Sequence, residues 1–187
     1  MRTLQRNNEL REILNLAASI HPEVIMEIGV DHGGTFVRWA GIVDAKGLVI
    51  GIDRNPQTPE IVNSRFANRT PAFCKIIVGD TKDPKTLEAA KAVLGARKVD
   101  FLFIDGDHSY EAVKSDYEIF SPLVRAEGII SFHDIAVPPT VVDPYDRSKF
   151  CGVMRFWNEL KNKTKKEFVD RTARPPYGIG VIVNDAG

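Results

Sequence analysis

Carboxylates and histidines stand at the ends of apolar runs in this chain, and that placement is its first chemical signal. The run 99–104 ends in Asp105-Gly106-Asp107-His108, and the run 128–132 ends in His133-Asp134. Carboxylate oxygens suit hard cations such as magnesium, calcium or manganese, and an imidazole adds a borderline ligand. Neighbouring strands lie roughly 4.8 Å apart. If these two runs are such neighbours, Asp105 and Asp134 converge on one divalent cation, with Asp107 and His133 as further ligands. Each residue also has a plainer use. Asp107 can cap a helix N-terminus, His108 can be a solvated first-turn residue, and His133-Asp134 can form a hydrogen-bonded turn. A histidine so placed titrates near neutral pH and can take a proton.

Three more apolar runs end in polar residues. The first is Glu27-Ile28-Gly29-Val30-Asp31-His32-Gly33-Gly34-Thr35. Glycine lets the backbone turn tightly and approach a ligand. The spacing is Gly29-x-x-x-Gly33, not the Gly-x-Gly-x-x-Gly of a dinucleotide site. Asp31 stands where a pyrophosphate would need to come close. A carboxylate there repels a diphosphate but tolerates a cationic sulfonium with an amino-acid tail. The same glycines would also serve a simple turn between strand and helix. Asp53 ends the second run, 24 residues after Gly29. An acid there can accept both ribose hydroxyls of an adenosine, or it can be a loop or capping aspartate. Gly79-Asp80-Thr81 ends the third run, where a short polar side chain can meet an adenine amino group or form an Asx-turn.

These residues need a scaffold that brings strand ends together. Runs at 24–29, 48–53, 73–78, 99–105 and 128–133 read as strands. The first, fourth and fifth are nearly continuous apolar runs, as in strands covered on both faces. Helical patterns fill the gaps. One spans 34–43. One spans 84–94, with Pro84 at its start and Gly95 at its end. A third, 107–120, places Tyr110, Val113, Tyr117 and Phe120 on one face. Amphipathic segments at 8–20 and 151–160 flank the series. The alternation predicts an α/β fold: a doubly wound, mostly parallel sheet between two helical layers. The tail runs 166–170 and 178–183 are separated by seven residues with two prolines. That is too short for a helical crossover, so antiparallel pairing is expected there.

Composition narrows the class. The chain has 187 residues, which predicts one domain, 1–187, with residues 1–21 as an N-terminal helical cap. A Pro- and Asp-rich stretch, 136–149, follows the fifth strand and is expected to form a loop over the ligand edge. Lys+Arg and Asp+Glu both number 25, so no net field favours nucleic acid or an anionic membrane. The polar start lacks the apolar stretch of a signal peptide, and no apolar run is long enough to span a bilayer. Cys74 and Cys151 form no CxxC pair and read as free thiols in a reducing cytoplasm.

Taken together, Glu27-Ile28-Gly29-x-x-x-Gly33-x-Thr35 resembles the first motif of class I S-adenosylmethionine-dependent O-methyltransferases of the catechol type. The runs 103–111 and 128–134 are more specific. They resemble a bacterial methyltransferase group related to the so-called cephalosporin hydroxylases and rhamnosyl O-methyltransferases, and Tyr177-Gly178-Ile179-Gly180-Val181 fits that group as well. The resemblance implies a Rossmann-like sheet of seven strands with an antiparallel C-terminal strand. It implies S-adenosylmethionine as cofactor, a small-molecule acceptor such as a sugar or phenol, assistance by Mg2+ or another divalent cation, and a homodimer. Glu27, Gly29 and Gly33 would line the methionine portion, with Asp31, His32 and Thr35 in the same turn. Asp53 would hold the ribose, and Asp80 with Thr81 the adenine side. Asp105 would serve both the cofactor and the metal, completed by His133-Asp134. Catechol-type enzymes carry Asp-Asn at the second site and a catalytic lysine after the first aspartate. Here Gly106, Asp107 and His108 follow Asp105, so the base falls to His108 or His133.

Competing readings are a nicotinamide-dependent oxidoreductase, a non-catalytic cofactor-binding subunit, and a hydrolase built on the Asp/His clusters. Acceptor choice is expected in the 136–149 loop, around Tyr145 and Arg147.

Overall fold

The computed structural model describes residues 7–43, 46–67, 71, 73–142, 150–161, 163–174 and 176–185. Seven strands form one sheet: β1 Val24–Ile28, β2 Leu48–Asp53, β3 Cys74–Val78, β4 Val99–Ile104, β5 Val124–His133, β6 Lys165–Phe168 and β7 Ile179–Val183. Their order across the sheet is β3-β2-β1-β4-β5-β7-β6. The pairs from β3 to β5 are parallel, while β7 pairs antiparallel with β5 and with β6. Strand order reverses between β1 and β4, which makes that gap the place where ligands enter such sheets.

The alternation of side chains along each strand divides the apolar residues between two faces. Val24, Met26 and Ile28 join Ile50, Leu102, Ile104 and Phe132 in one core. That core packs against α4 Pro84–Leu94, α5 Tyr110–Phe120 and α6 Val153–Glu159 through Leu94, Phe120 and Trp157. Ile25, Val49, Phe101 and Phe103 face the other way. They meet α1 Asn7–Ser19, α2 Phe36–Ala40 and α3 Thr58–Arg65 through Ile13, Trp39 and Val62. The result is the expected three-layer α/β/α arrangement.

Three local departures have physical causes. The helix expected over 34–43 shrinks to α2, five residues long, because Gly33 takes a positive φ of 69° and the chain turns again at Gly41. α3 escaped the sequence reading: only Thr58 and Val62 are buried on it, so it shows no apolar stripe. β5 begins four residues earlier than expected. Its polar start is held because Arg125 Nε sits 2.6 Å from Asp100 Oδ1, while Asp100 Oδ2 accepts from the Glu23 and Val24 amides. Both cysteines are buried free thiols. No helix among the described residues is long and apolar enough to cross a membrane.

Candidate active site

The turn after β1 is built against the end of β4. Gly29 has φ +85°, and a Cβ there would lie 2.0 Å from the Asp105 carbonyl oxygen. Only glycine fits. The Gly29 amide donates to Ile52 O and the Asp105 amide to Ile28 O, so β1, β2 and β4 all end at one level. Asp53 braces the turn: its Oδ2 accepts from the Val30 and Asp31 amides at 2.9 and 2.7 Å, and its Oδ1 accepts from Asn55. Each carboxylate oxygen has a second lone pair, so a partly exposed Asp53 retains capacity for ribose hydroxyls. Asp31 is itself left-handed, φ +47°. His32 is exposed and Thr35 buried. On the third loop, Asp80 Oδ1 accepts from the Lys82 amide, the Asx-turn that sequence allowed, and Thr81 is half-buried beside it.

Glu27 is 1% exposed, on the same face as Trp39. Burial pushes its carboxyl well above the ordinary range, and the Asp105 charge adds to this. A Trp39 hydrogen bond works the other way, favouring the charged form.

β4 and β5 pair in parallel, so their ends bring Asp105, His108, His133 and Asp134 together. His133 Nδ1 lies 3.0 Å from Asp105 Oδ1 and 3.2 Å from Asp134 Oδ1. His108 Nε2 lies 3.6 Å from Asp105 Oδ1 and 3.4 Å from Asp134 Oδ2. Burial opposes charge on His133, but Asp105 and Asp134 outweigh it and push its pKa up to about 9. Burial likewise opposes charge on Asp105, yet His133 and His108 hold its carboxyl well below the usual range. The His108 backbone is tied from behind, where the Gly152 amide donates to His108 O at 2.7 Å.

The ligand grouping differs from expectation in two residues. Asp105, His108 and Asp134 each offer a ligand atom within 4.8 Å of the others. Asp107 stands outside that group, because its Oδ1 accepts from the Ser109 amide just before α5. His133 is turned to the two carboxylates and stacked on the Tyr177 ring, centroids 5.9 Å apart, and His108 is the histidine of the grouping. Two carboxylates and one imidazole fit a divalent cation by charge and donor type.

Asp116 was not singled out from sequence. It is 2% exposed on α5 and lies below Gly106. Its place three residues after Val113, on the apolar face, was the available signal. Tyr145 and Arg147 lie outside the described residues.

A glycine turn braced by an acid, at the reversal point of a seven-stranded sheet with an antiparallel end, defines a class I methyltransferase architecture. The chain belongs to the family described as "Methyltransferase domain", which it matches over residues 26–135. Among solved structures, it resembles an O-methyltransferase from Bacillus cereus in complex with S-adenosylhomocysteine. That likeness has TM-score 0.74 and 17% identity, over 96% of this chain and 82% of the other. It also resembles the O-methyltransferase TomG from Streptomyces achromogenes, in complex with S-adenosylmethionine. There the TM-score is 0.75 and the identity 18%, over 97% and 82% of the two chains. The uncharacterized protein y4gI of Sinorhizobium fredii (strain NBRC 101917 / NGR234) is 33% identical over 76 residues, 41% of this chain. The matched stretch is 7% of that relative's length.

Proposed function

We propose that this methyltransferase moves the methyl group of S-adenosylmethionine to a hydroxyl oxygen of a small acceptor held at Asp105, His108 and Asp134. The observation that carries this is the junction of the Gly29 turn with that cluster: donor cradle and acceptor cluster share the Asp105 backbone. The turn admits the donor closely, and Asp31 suits its cationic sulfur and amino group better than a diphosphate. The acceptor oxygen attacks the methyl carbon in line, the carbon–sulfur bond breaks, and sulfur keeps the electron pair. The hydroxyl proton passes to His108 Nε2, which lies 3.6 Å from Asp105 Oδ1 and 3.4 Å from Asp134 Oδ2. Asp105 and Asp134 stabilise the imidazolium that results. In a metal-loaded form, a divalent cation held by Asp105, His108 and Asp134 would itself lower the hydroxyl pKa, and His108 would then serve as ligand rather than as base. Most of the rate comes from holding oxygen, methyl carbon and sulfur in line.

Calorimetric titration with S-adenosylmethionine, using NAD as control, tests the donor; binding of NAD in preference would overturn the reading. His108→Ala should lower methyl transfer about 100-fold or more, the usual worth of a positioned base, with donor affinity unchanged. Unchanged turnover would remove His108 from the chemistry.

A further inference from the structure

Asp116 is a buried carboxylate that the transfer itself leaves without a role. It stands on α5, 2% exposed, and its Oδ1 has no hydrogen-bond partner among the described residues. On the same helix Val113 and Phe120 join the core, and a residue selected for packing alone would be apolar like them. A carboxylate oxygen shut away from water and left unmet costs stability. In a native fold such a group marks a place where something besides the core is being held.

Two loops meet at Asp116. The Thr81 hydroxyl, from the loop after β3, hydrogen-bonds its carboxyl. Gly106, from the loop after β4, lies over it: a Cβ there would be 3.4 Å from Asp116 Oδ2 and 3.3 Å from Ile28 Cγ2. β3 and β4 are three places apart in the sheet, about 14 Å at the usual strand spacing. The Thr81 contact therefore draws the loop after β3 back across the ends of β2 and β1, towards β4. Each loop is also set internally. Asp80 Oδ1 accepts from the Lys82 amide, and Asp107 Oδ1 from the Ser109 amide. Asp80 itself is exposed, while the Thr81 hydroxyl is committed to Asp116.

The parts of the donor fall along this edge in order. The Gly29 turn admits the sulfonium end, and Asp53 on β2 serves the ribose hydroxyls. The base then lies towards β3, where the Asp80 carboxylate can accept from an exocyclic amino group. We infer that Asp116 is a positioning residue for the adenine end of the donor: it clamps Thr81 to α5 and so fixes Asp80 against the base. This rests on S-adenosylmethionine as the donor, as proposed above. Thr81 belongs to the clamp rather than to the groups that touch the base. A 6-oxo group in place of the amino group turns a donor into an acceptor, which a carboxylate cannot meet.

Calorimetry on the full chain with S-adenosylhomocysteine and with S-inosylhomocysteine, its 6-oxo counterpart, tests the clamp. The melting temperature of each variant checks that it is folded. Wild type should bind the adenine compound about tenfold or more tighter, because a site built to pair an amino group rejects the analogue lacking it. Asp116→Ala should weaken S-adenosylhomocysteine about tenfold and S-inosylhomocysteine little, so that the preference collapses. Thr81→Val should do the same, and the double variant should lose no more than either alone, as expected of two groups in one hydrogen bond. Asp116→Asn, which keeps an acceptor for Thr81, should retain the wild-type preference. If Asp116→Ala does not fold, Thr81→Val decides. A preference unchanged in the variants overturns the inference, as does its absence from wild type. Equal loss of both compounds also overturns it, since that would mark Asp116 as a support of the fold in general. Heat from neither compound with wild type would remove the donor and the clamp together, whereas wild-type binding with indifferent variants removes the clamp alone.

Discussion

A methyl group on residue 29 would press into the Asp105 carbonyl at 2.0 Å, in a backbone state, φ +85°, that side chains avoid. Two penalties coincide: a left-handed conformation costs about 1–2 kcal/mol, and overpacking about 1–3 kcal/mol. Gly29→Ala should destabilise the protein by about 3 kcal/mol in urea unfolding and spoil donor binding. An unchanged midpoint would show that the turn can shift away from β4. Asp116 makes a different prediction. Burial raises its pKa to about 6, with Asp107 and Asp80 adding and Thr81 and Lys82 opposing. Its Oδ1 has no hydrogen-bond partner. The folded protein thus holds this proton more tightly than the unfolded chain, where the value is about 3.9. The favourable contribution is complete below about pH 4 and is lost as pH rises through about 6. Asp116→Asn removes that dependence. The melting temperature of the variant should gain on wild type between pH 4 and 7. A difference flat with pH would mean that Asp116 stays charged.

Elements place these residues, and their packing can be measured. α2 is five residues long and too short to be stable alone. It is held by Trp39, fully buried, with ring centroids 5.3 Å from Phe101 and 5.6 Å from Phe103. Those phenylalanines lie on β4, the strand that delivers Asp105. Trp39→Ala should cost about 3–5 kcal/mol, read as a lower urea midpoint, and the glycine turn that feeds α2 should loosen with it. A loss under about 1 kcal/mol would mean the cavity closes by local collapse. α1 is tied to the far edge instead, because Glu9 Oε1 accepts from the Asp170 amide at 2.7 Å. The segment expected to cap the sheet therefore covers the β6–β7 side as well as the middle.

Across the whole molecule, stability should grade from the centre of the sheet outwards. β1 is buried at every position and paired on both sides. β3 and β6 are edge strands with exposed positions. Hydrogen exchange followed by mass spectrometry should show the slowest amides in β1 and β4 and the fastest strand amides in β6 and β3. Equal protection of β6 and β4 would contradict this gradient.

Periodicity and strand-end chemistry were enough to read the α/β class, the five parallel strands, the antiparallel tail and the loops that carry Gly29, Asp53, Asp105 and Asp134. Those features are local: apolar runs and glycines report on their own residues, and strand ends follow from them. Which of Asp107, His108 and His133 joins the two aspartates was not local. That depends on how β5 ends, with Asp134 left-handed at φ +65°, and on a Gly152 amide 44 residues from His108. The raised pKa of Glu27, the buried Asp116 and the apolar slot beside His108 have the same origin. Burial and proximity between distant segments set polarity and charge, and only the packed sheet brings those segments together.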